Sequence, residues 1–138
     1  MVKKPEQLKV PLSKAESFGA SMAKKIKGGE VFGLIGELGS GKTTLTKSLG
    51  KGLGIRQTIT SPTFVMMQQF ETPGQLFFYH LDLYRTKDFR EVKSLGITEW
   101  WGHPKTVTVI EWADKILDQL PEQTILIHLY RDSAQNNL

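Results

Sequence analysis

The sequence contains no cysteine among its 138 residues. Disulfide bonds, thiolate nucleophiles and cysteine-ligated zinc are therefore excluded. No apolar run approaches the roughly 18 residues that a membrane helix requires. The opening stretch, "MVKKPEQLKVPLSK", is charged and has no apolar core of a secretory signal, so we expect a cytoplasmic protein.

Internal repeats, low-complexity segments and linker-like stretches are also missing, and the length suits one domain around one core. We therefore predict a single domain over residues 1–138, in which the polar residues 131–138 form a frayed tail. Basic residues outnumber acidic ones by 18 to 14, but the two kinds are interspersed. This balance favours ordinary surface solvation over a dedicated surface for RNA or an acidic protein.

Helical patterns are present in three segments. Ser13 and Glu16 have the spacing of a capping box, and apolar residues at helical intervals run on to a glycine pair. This predicts a helix over residues 13–27, with a short strand before it near "LKVPL". Leucines every fourth residue before Gly54 predict a second helix over residues 42–53. A third, short helix is expected over residues 88–93.

Apolar, β-branched stretches indicate the strands of a sheet. "EVFGLIG", "KTVTVIEW" and "TILIHLY" are typical of buried strands. "FVMMQQFE" and "LFFYHLDLY" flank "TPGQ", whose proline and glycine favour the tight turn of a hairpin. "ADKILDQLP" is expected to be a short helix or a turn. The predicted fold is α/β with three layers, like the P-loop NTPases, and its mainly parallel central sheet carries an antiparallel hairpin.

The segment "GELGSGKTT" lies between the strand "EVFGLIG" and the second helix. It fits the phosphate-loop pattern G-x-x-x-x-G-K-[ST] through Gly36, Gly41, Lys42 and Thr43. Glycines allow the backbone to curl so that its N–H groups face a polyphosphate, and the helix N-terminus adds partial positive charge. Lys42 would then contact the phosphates and Thr43 would bind Mg²⁺. A tight strand-to-helix turn without a ligand is the alternative.

Nucleotide hydrolysis also requires carboxylates near Mg²⁺ and the attacking water. Asp82 ends the run "LFFYHLD", and Glu111 ends "VTVIE". Ligands of open α/β sheets bind at the carboxyl ends of the strands, where both acids are expected. If they converge, Asp82 suits the Mg²⁺ shell and Glu111 suits a place near the metal or the water. Ordinary surface carboxylates at strand ends are the alternative.

Other polar and aromatic clusters are less specific. The segment "TSPTF" contains Thr63 and follows the second helix, where switch loops of nucleotide hydrolases supply a hydroxyl, although such clusters are usually turns. Adjacent Trp100 and Trp101 cannot both face inward easily, so we expect one of them to be exposed. The histidines have no metal-ligand spacing, and we interpret all of them as structural: His80, His103 and His128.

Missing motifs narrow the class of nucleotide enzyme. The guanine-binding element [NT]-K-x-D is absent, and so is a D-x-x-G switch after the glycine-rich segment. A GTPase is therefore disfavoured. A small-molecule kinase stays open in principle, but such enzymes use arginine-rich lids, and only Arg85 and Arg90 lie in a suitable region.

Four motifs together resemble one family. "GELGSGKTT", "SPTF", "YHLDLYR" and "VIEWAD" occur in the order seen in the bacterial TsaE family, formerly YjeE, and the resemblance covers about residues 13–130. It implies a P-loop NTPase fold and an ATPase that depends on Mg²⁺ and turns over slowly by itself. It also implies work with TsaD and TsaB in threonylcarbamoylation of adenosine 37 of ANN-decoding tRNAs, with tRNA contacted indirectly through the complex. Alternatives are an ATP-dependent docking module without essential hydrolysis and the small-molecule kinase.

The resemblance also assigns roles by position. It implies catalytic roles for Lys42, Asp82 and Glu111, and Mg²⁺ binding by Thr43, Asp82 and Glu111. The residues implied in ATP binding are Gly36, Glu37, Leu38, Gly39, Ser40, Gly41, Lys42, Thr43, Thr44, Thr63 and Trp112. Glu37 and Ser40 stand where aspartate and alanine are frequent in the family, and both contribute mainly backbone to the loop. Ala113 stands where proline is frequent, which leaves the partner contacts less defined.

Overall fold

The computed structural model describes residues 6–59 and 67–132. These ranges contain the strands β1 (Glu6–Pro11), β2 (Val31–Ile35), β3 (Met67–Glu71), β4 (Phe77–Asp82), β5 (Thr106–Glu111) and β6 (Ile125–Tyr130). They form one sheet in the order β1-β6-β2-β5-β4-β3. The β3–β4 pair is antiparallel and the other pairs are parallel. The predicted α/β fold, with a mainly parallel sheet and one hairpin, is confirmed.

Helices cover both faces of the sheet. The α-helices are α1 (Ala15–Ala23), α2 (Lys42–Gly52) and α3 (Phe89–Lys93), and 3₁₀ helices form at Leu12–Lys14, Ile97–Trp100 and Ala113–Gln119. Leu45 and Leu49 of α2 join a core on one face, while Val92 of α3 and Ile116 join a core on the other. The three predicted layers follow from these two cores. Among residues 6–59 and 67–132, no helix has the length and apolar character needed to cross a bilayer.

The start of α1 corrects one prediction. Ser13 and Glu16 do not form a capping box, because the residue that caps α1 is Lys14 and its side chain makes no capping bond. Ser13 instead belongs to the 3₁₀ turn, and both its backbone N–H and its hydroxyl donate to the Asp132 carboxylate. Ser13 was predicted to bond within a helix cap, but it bonds a residue near the other end of the described chain. The helix α1 is also shorter than predicted at both ends.

The other element predictions agree with the structure to within a few residues. The hairpin turn lies between β3 and β4, and Asp88 caps α3 by accepting a hydrogen bond from the Arg90 N–H at 2.8 Å. Asp132 and Arg131 were expected in a frayed tail, but both make hydrogen bonds to the rest of the fold. Residues 133–138 lie outside the described part of the chain.

Candidate functional site

The connection between β2 and α2, residues 36–41, is termed the glycine loop. Gly41 precedes α2 with φ of 110°, a conformation that side chains disfavour. At Gly36 the constraint is space, because a Cβ atom there would lie 2.4 Å from Ser40 Oγ and 2.6 Å from the Leu129 carbonyl oxygen. The loop therefore curls more tightly than any sequence with side chains at these positions would allow.

Lys42 begins α2 and folds back over the glycine loop. Its Nζ donates to the carbonyl oxygens of Gly36 at 2.5 Å and Glu37 at 2.8 Å, and to Ser40 Oγ at 3.3 Å. The residue is only 5% exposed. Burial lowers the pKa of Lys42, and the nearby carboxylates, Glu111 first, act in the opposite direction. The loop thus holds a desolvated cation at its centre, which is the charge that an anionic ligand would meet.

Glu111 ends β5 and contacts the first turn of α2. Thr43 Oγ1 donates to Glu111 Oε1 at 3.0 Å, and Thr46 Oγ1 lies 3.5 Å from Oε2. The carboxylate is 2% exposed. A residue far along the chain therefore reaches the threonine of the glycine motif, as the sequence predicted for acids at the carboxyl ends of neighbouring strands.

Asp82 ends β4 directly beside Glu111 in the sheet register. Its Oδ1 accepts a hydrogen bond from the Tyr84 N–H at 3.0 Å. Burial raises the pKa of Asp82, the Tyr84 N–H lowers it, and the negative charge of Glu111 raises it further. The two acids predicted to converge are neighbours, and Lys42 is close enough to act on the pKa of Asp82.

Trp112 follows Glu111 with φ of 62°, which is an outlier for a bulky residue. Its ring lies 4.0 Å from Lys42 Nζ, and the Tyr84 ring packs 5.0 Å away. A cation over an indole face is a favourable contact, and strained backbone tends to occur at functional sites. The structure thus places Trp112 at the mouth of the glycine loop, against Lys42.

The remaining predicted positions differ in exposure. Ser40 is buried and accepts from Lys42, whereas Leu38 is 66% exposed and Glu37 and Thr44 are also at the surface. Thr63 lies outside the described residues. Of the adjacent tryptophans, Trp100 is 45% exposed and Trp101 is partly buried, so the expectation that one is exposed is confirmed.

Two site neighbours were missed from the sequence. His80 was interpreted as structural, yet its Nε2 lies 2.6 Å from Glu111 Oε2. The available signal was its spacing from Asp82, because residues two apart in a strand point to the same face. Arg131 was assigned to the tail, but its Nε donates to the Gly39 carbonyl oxygen at 3.3 Å. No local pattern predicts that contact, since it depends on β6 lying beside β2.

The donor set was tested for its fit to a divalent cation. Residues 6–59 and 67–132 contain no group of three or more His, Cys, Asp or Glu side chains arranged to hold a metal. Thr43, Asp82 and Glu111 supply one hydroxyl and two carboxylates at one edge of the sheet. Mg²⁺ is commonly held by one or two carboxylates together with phosphates and water. The site therefore fits Mg²⁺ that arrives with a phosphate ligand.

Comparison with known families supplies independent information. A family model described as threonylcarbamoyl adenosine biosynthesis protein TsaE matches residues 11–138. Relatives called tRNA threonylcarbamoyladenosine biosynthesis protein TsaE are 42% identical over 105 residues in Bacillus subtilis and 38% identical over 104 residues in Haemophilus influenzae. These matches cover 76% and 75% of this chain but only 64% and 65% of the relatives. The chain thus spans just under two thirds of their length.

A solved structure is similar as well. The crystal structure of Bacillus subtilis YdiB aligns with a TM-score of 0.63 at 32% sequence identity. The alignment covers 89% of this chain and 75% of that chain. The sequence comparisons and the structural comparison therefore both find similar proteins over most of this chain.

Proposed function

The chain belongs to the TsaE family of threonylcarbamoyl adenosine biosynthesis proteins, and from this premise we propose that it binds ATP with Mg²⁺ and hydrolyses the nucleotide slowly on its own. The observation that carries the proposal is the convergence of Lys42, Thr43 and Glu111 at the start of α2, where Lys42 contacts the glycine loop and Glu111 contacts Thr43. The parts that phosphoryl transfer requires are a loop tightly curled at its glycines, a buried ammonium group and two adjacent carboxylates.

Each part has a separate task in the proposed reaction. The N–H groups of the glycine loop and the start of α2 bind the triphosphate, and Lys42 exchanges its carbonyl partners for phosphate oxygens. Thr43 and Asp82, with Glu111 beside them, would hold Mg²⁺, which neutralises charge on the phosphates when bound. Glu111 is also placed to orient the water that attacks the γ-phosphate. Products are ADP and phosphate.

The biological role proposed here follows the family. We propose that ATP hydrolysis supports threonylcarbamoylation of adenosine 37 in ANN-decoding tRNAs, and that the protein acts with TsaD and TsaB rather than transferring the group itself. The relatives carry this pathway in their names. No guanine-binding element is present in the sequence, which favours ATP over GTP. Contact with tRNA is proposed to be indirect, through the complex.

The direct test is a calorimetric titration of MgATP into the wild-type protein and the Lys42→Ala variant. Loss of a charge-assisted hydrogen bond to phosphate costs about 1.5–3 kcal/mol, so we expect affinity to fall at least about tenfold. Lys47→Ala is the matched control, because Lys47 lies on the same helix with an exposed side chain. Its affinity should match the wild type.

Two outcomes would contradict the proposal. The wild-type protein could fail to bind MgATP, or Lys42→Ala could bind it as tightly as the control does. The melting temperature of each variant must be measured in parallel, because Lys42 also bridges the loop carbonyls. A variant that has lost affinity but melts with the control reports on ligand binding alone.

A further inference from the structure

His80 lies between Gln68 of β3, the outermost strand of the sheet on that side, and Glu111 of the candidate site. It lies in β4, is 0% exposed, and its Nε2 lies 2.6 Å from Glu111 Oε2. On the other side of the ring, Nδ1 forms a 3.0 Å hydrogen bond with the side chain of Gln68 in β3. A continuous chain of hydrogen bonds therefore runs from Gln68 through His80 to Glu111 and on to Thr43.

The two oxygens of Glu111 have different partners. Oε1 accepts from Thr43, and Oε2 faces His80 with Thr46 at the longer distance of 3.5 Å. Both Glu111 and His80 are buried, so water cannot easily replace a partner that is lost. A carboxylate with only its Thr43 contact would be free to rotate about its side-chain torsions. His80 removes that freedom.

The ring of His80 is itself fixed. It is bonded at both nitrogens, and its neighbours across the strands are Gln68 on one side and Val109 on the other. A histidine that only fills core volume does not need an acidic partner, and fully buried polar side chains carry a desolvation cost. One hydrogen bond of the ring reaches the carboxylate that the proposed function uses, and the other fixes the ring from the opposite side through Gln68.

We propose that His80 is a positioning residue, which holds the Glu111 carboxylate against Thr43 while Gln68 orients the imidazole ring. The inference rests on the proposed ATPase function for its kinetic consequence, but its geometric consequence can be observed without nucleotide. Mutation of a residue that holds a metal-binding side chain by a hydrogen bond typically lowers metal affinity or activity about 10–100-fold.

The test compares His80→Leu with His80→Gln. The leucine variant removes the donor and retains apolar volume, whereas the glutamine variant places an N–H near the position of Nε2. We expect His80→Leu to lower kcat for ATP at least about tenfold with little change in KM, and to raise the half-saturating Mg²⁺ concentration. His80→Gln should recover most of both. Crystals grown without nucleotide should show the 3.0 Å contact between Thr43 and Glu111 kept in His80→Gln and broken in His80→Leu.

His128 provides a matched control. It also lies within a strand, β6, and its Nε2 bonds a glutamine side chain, Gln7, at 2.9 Å. His128→Leu should therefore leave kcat and the contact between Thr43 and Glu111 unchanged. Gln68→Met is a milder variant for the case that His80→Leu does not fold, and we expect a fall of several-fold in its kcat.

The outcomes distinguish a failure of the positioning role from a failure of the proposed ATPase function. Normal kcat and an intact contact between Thr43 and Glu111 in His80→Leu would overturn the inference, even if the wild type is an active ATPase. If His80→Leu does not fold, an unchanged kcat in Gln68→Met would overturn it. A wild type without ATP turnover would contradict the proposed function, and the crystal comparison of the two His80 variants would then still decide the positioning role.

Discussion

At the scale of single residues, Asp82 carries a carboxyl group whose charged form opposes folding. Burial and the neighbouring charge of Glu111 raise its pKa, and the Tyr84 N–H offsets this only in part. A carboxyl group whose pKa is higher in the folded chain binds protons more readily there than in the unfolded chain. It therefore lowers the free energy of unfolding as pH rises through the folded pKa, and the penalty remains at neutral pH.

Asp82→Asn should accordingly melt at a higher temperature than the wild type at about pH 7, since the amide keeps an acceptor for the Tyr84 N–H without the charge. The advantage should shrink as pH falls toward 3.8, the ordinary value, because the carboxyl group is then largely protonated in the folded chain and about half protonated in the unfolded chain. Thermal unfolding followed by circular dichroism between about pH 4 and about pH 7 measures this. Asp118→Asn, at an exposed position, is the control. A lower melting temperature for Asp82→Asn would contradict the account.

Sequence reasoning predicted the residues with strong local signals. Lys42 and Thr43 follow from the glycine motif, and Asp82 and Glu111 follow from their places at strand ends. The contact of His80 with Glu111 was not predicted, because its partner comes from another strand. A lone histidine within an apolar run has the same local pattern whether it packs or positions a carboxylate.

At the scale of elements, α1 and α2 pack unusually closely. Gly19 of α1 faces α2, and a Cβ atom added there would lie 2.7 Å from the Leu45 carbonyl oxygen and 2.9 Å from Ser48 Cβ. Ser48 Oγ donates to the Glu16 carbonyl oxygen across the same contact. This packing holds α2, and with it Lys42 and Thr43, against the sheet.

Gly19→Ala should destabilise the protein although alanine favours helices. The helix propensity gained is about 1 kcal/mol, whereas forcing a methyl group into a packed interface costs about 1–3 kcal/mol. We expect a net loss in the free energy of unfolding, measured by urea denaturation. Ser21→Ala, at an exposed position of α1, should change it by less than about 0.5 kcal/mol. A more stable Gly19→Ala would show that the helices can separate without cost.

The elements themselves were largely predictable, because strands and helices differ in the spacing of their apolar residues and are bounded by residues that favour turns. The hairpin and α3 agree with their sequence patterns. The start of α1 does not, because Ser13 donates its hydrogen bonds to Asp132 instead of capping the helix. Local spacing cannot reveal a competing partner that the fold brings from the other end of the chain.

At the scale of the whole molecule, the order of the strands decides which residues meet. Placing β5 between β2 and β4 brings the ends of three strands, with the glycine loop and both acids, to one edge. This order cannot be derived from the individual strand patterns, because the pattern of a strand does not show which other strands pair with it. The position of both acids at the ends of strands supplied the expectation that they converge, and the observed topology explains it.

The proposed dependence on partner proteins is tested on the assembly rather than on the isolated chain. Adding TsaB and TsaD should raise wild-type ATP turnover about tenfold or more, because a partner can complete the charge stabilisation that a slow ATPase lacks. Glu111→Ala should lose both this turnover and tRNA modification, measured by phosphate release and by mass spectrometry of the modified nucleoside. Glu122→Ala should behave as wild type, because Glu122 is exposed and precedes β6, at the opposite end of the parallel strands from Glu111.

Absence of stimulation by any combination of the two proteins would remove partner dependence from the proposal. Full tRNA modification by Glu111→Ala would instead favour a docking module in which hydrolysis is incidental. Phosphate transfer to a metabolite without either protein would favour a kinase.

The pairing of β1 with β6 has a consequence for biosynthesis. β1 is made first, but in the sheet its neighbour is β6, the last strand of the described chain to be made. While the ribosome is still producing the intervening residues, β1 has no template to join. Until β6 is made, the glycine loop also lacks its neighbours Leu129 and Arg131. A nascent chain should therefore complete the glycine loop, and with it the proposed nucleotide site, only when translation of β6 is finished, late and in a single step.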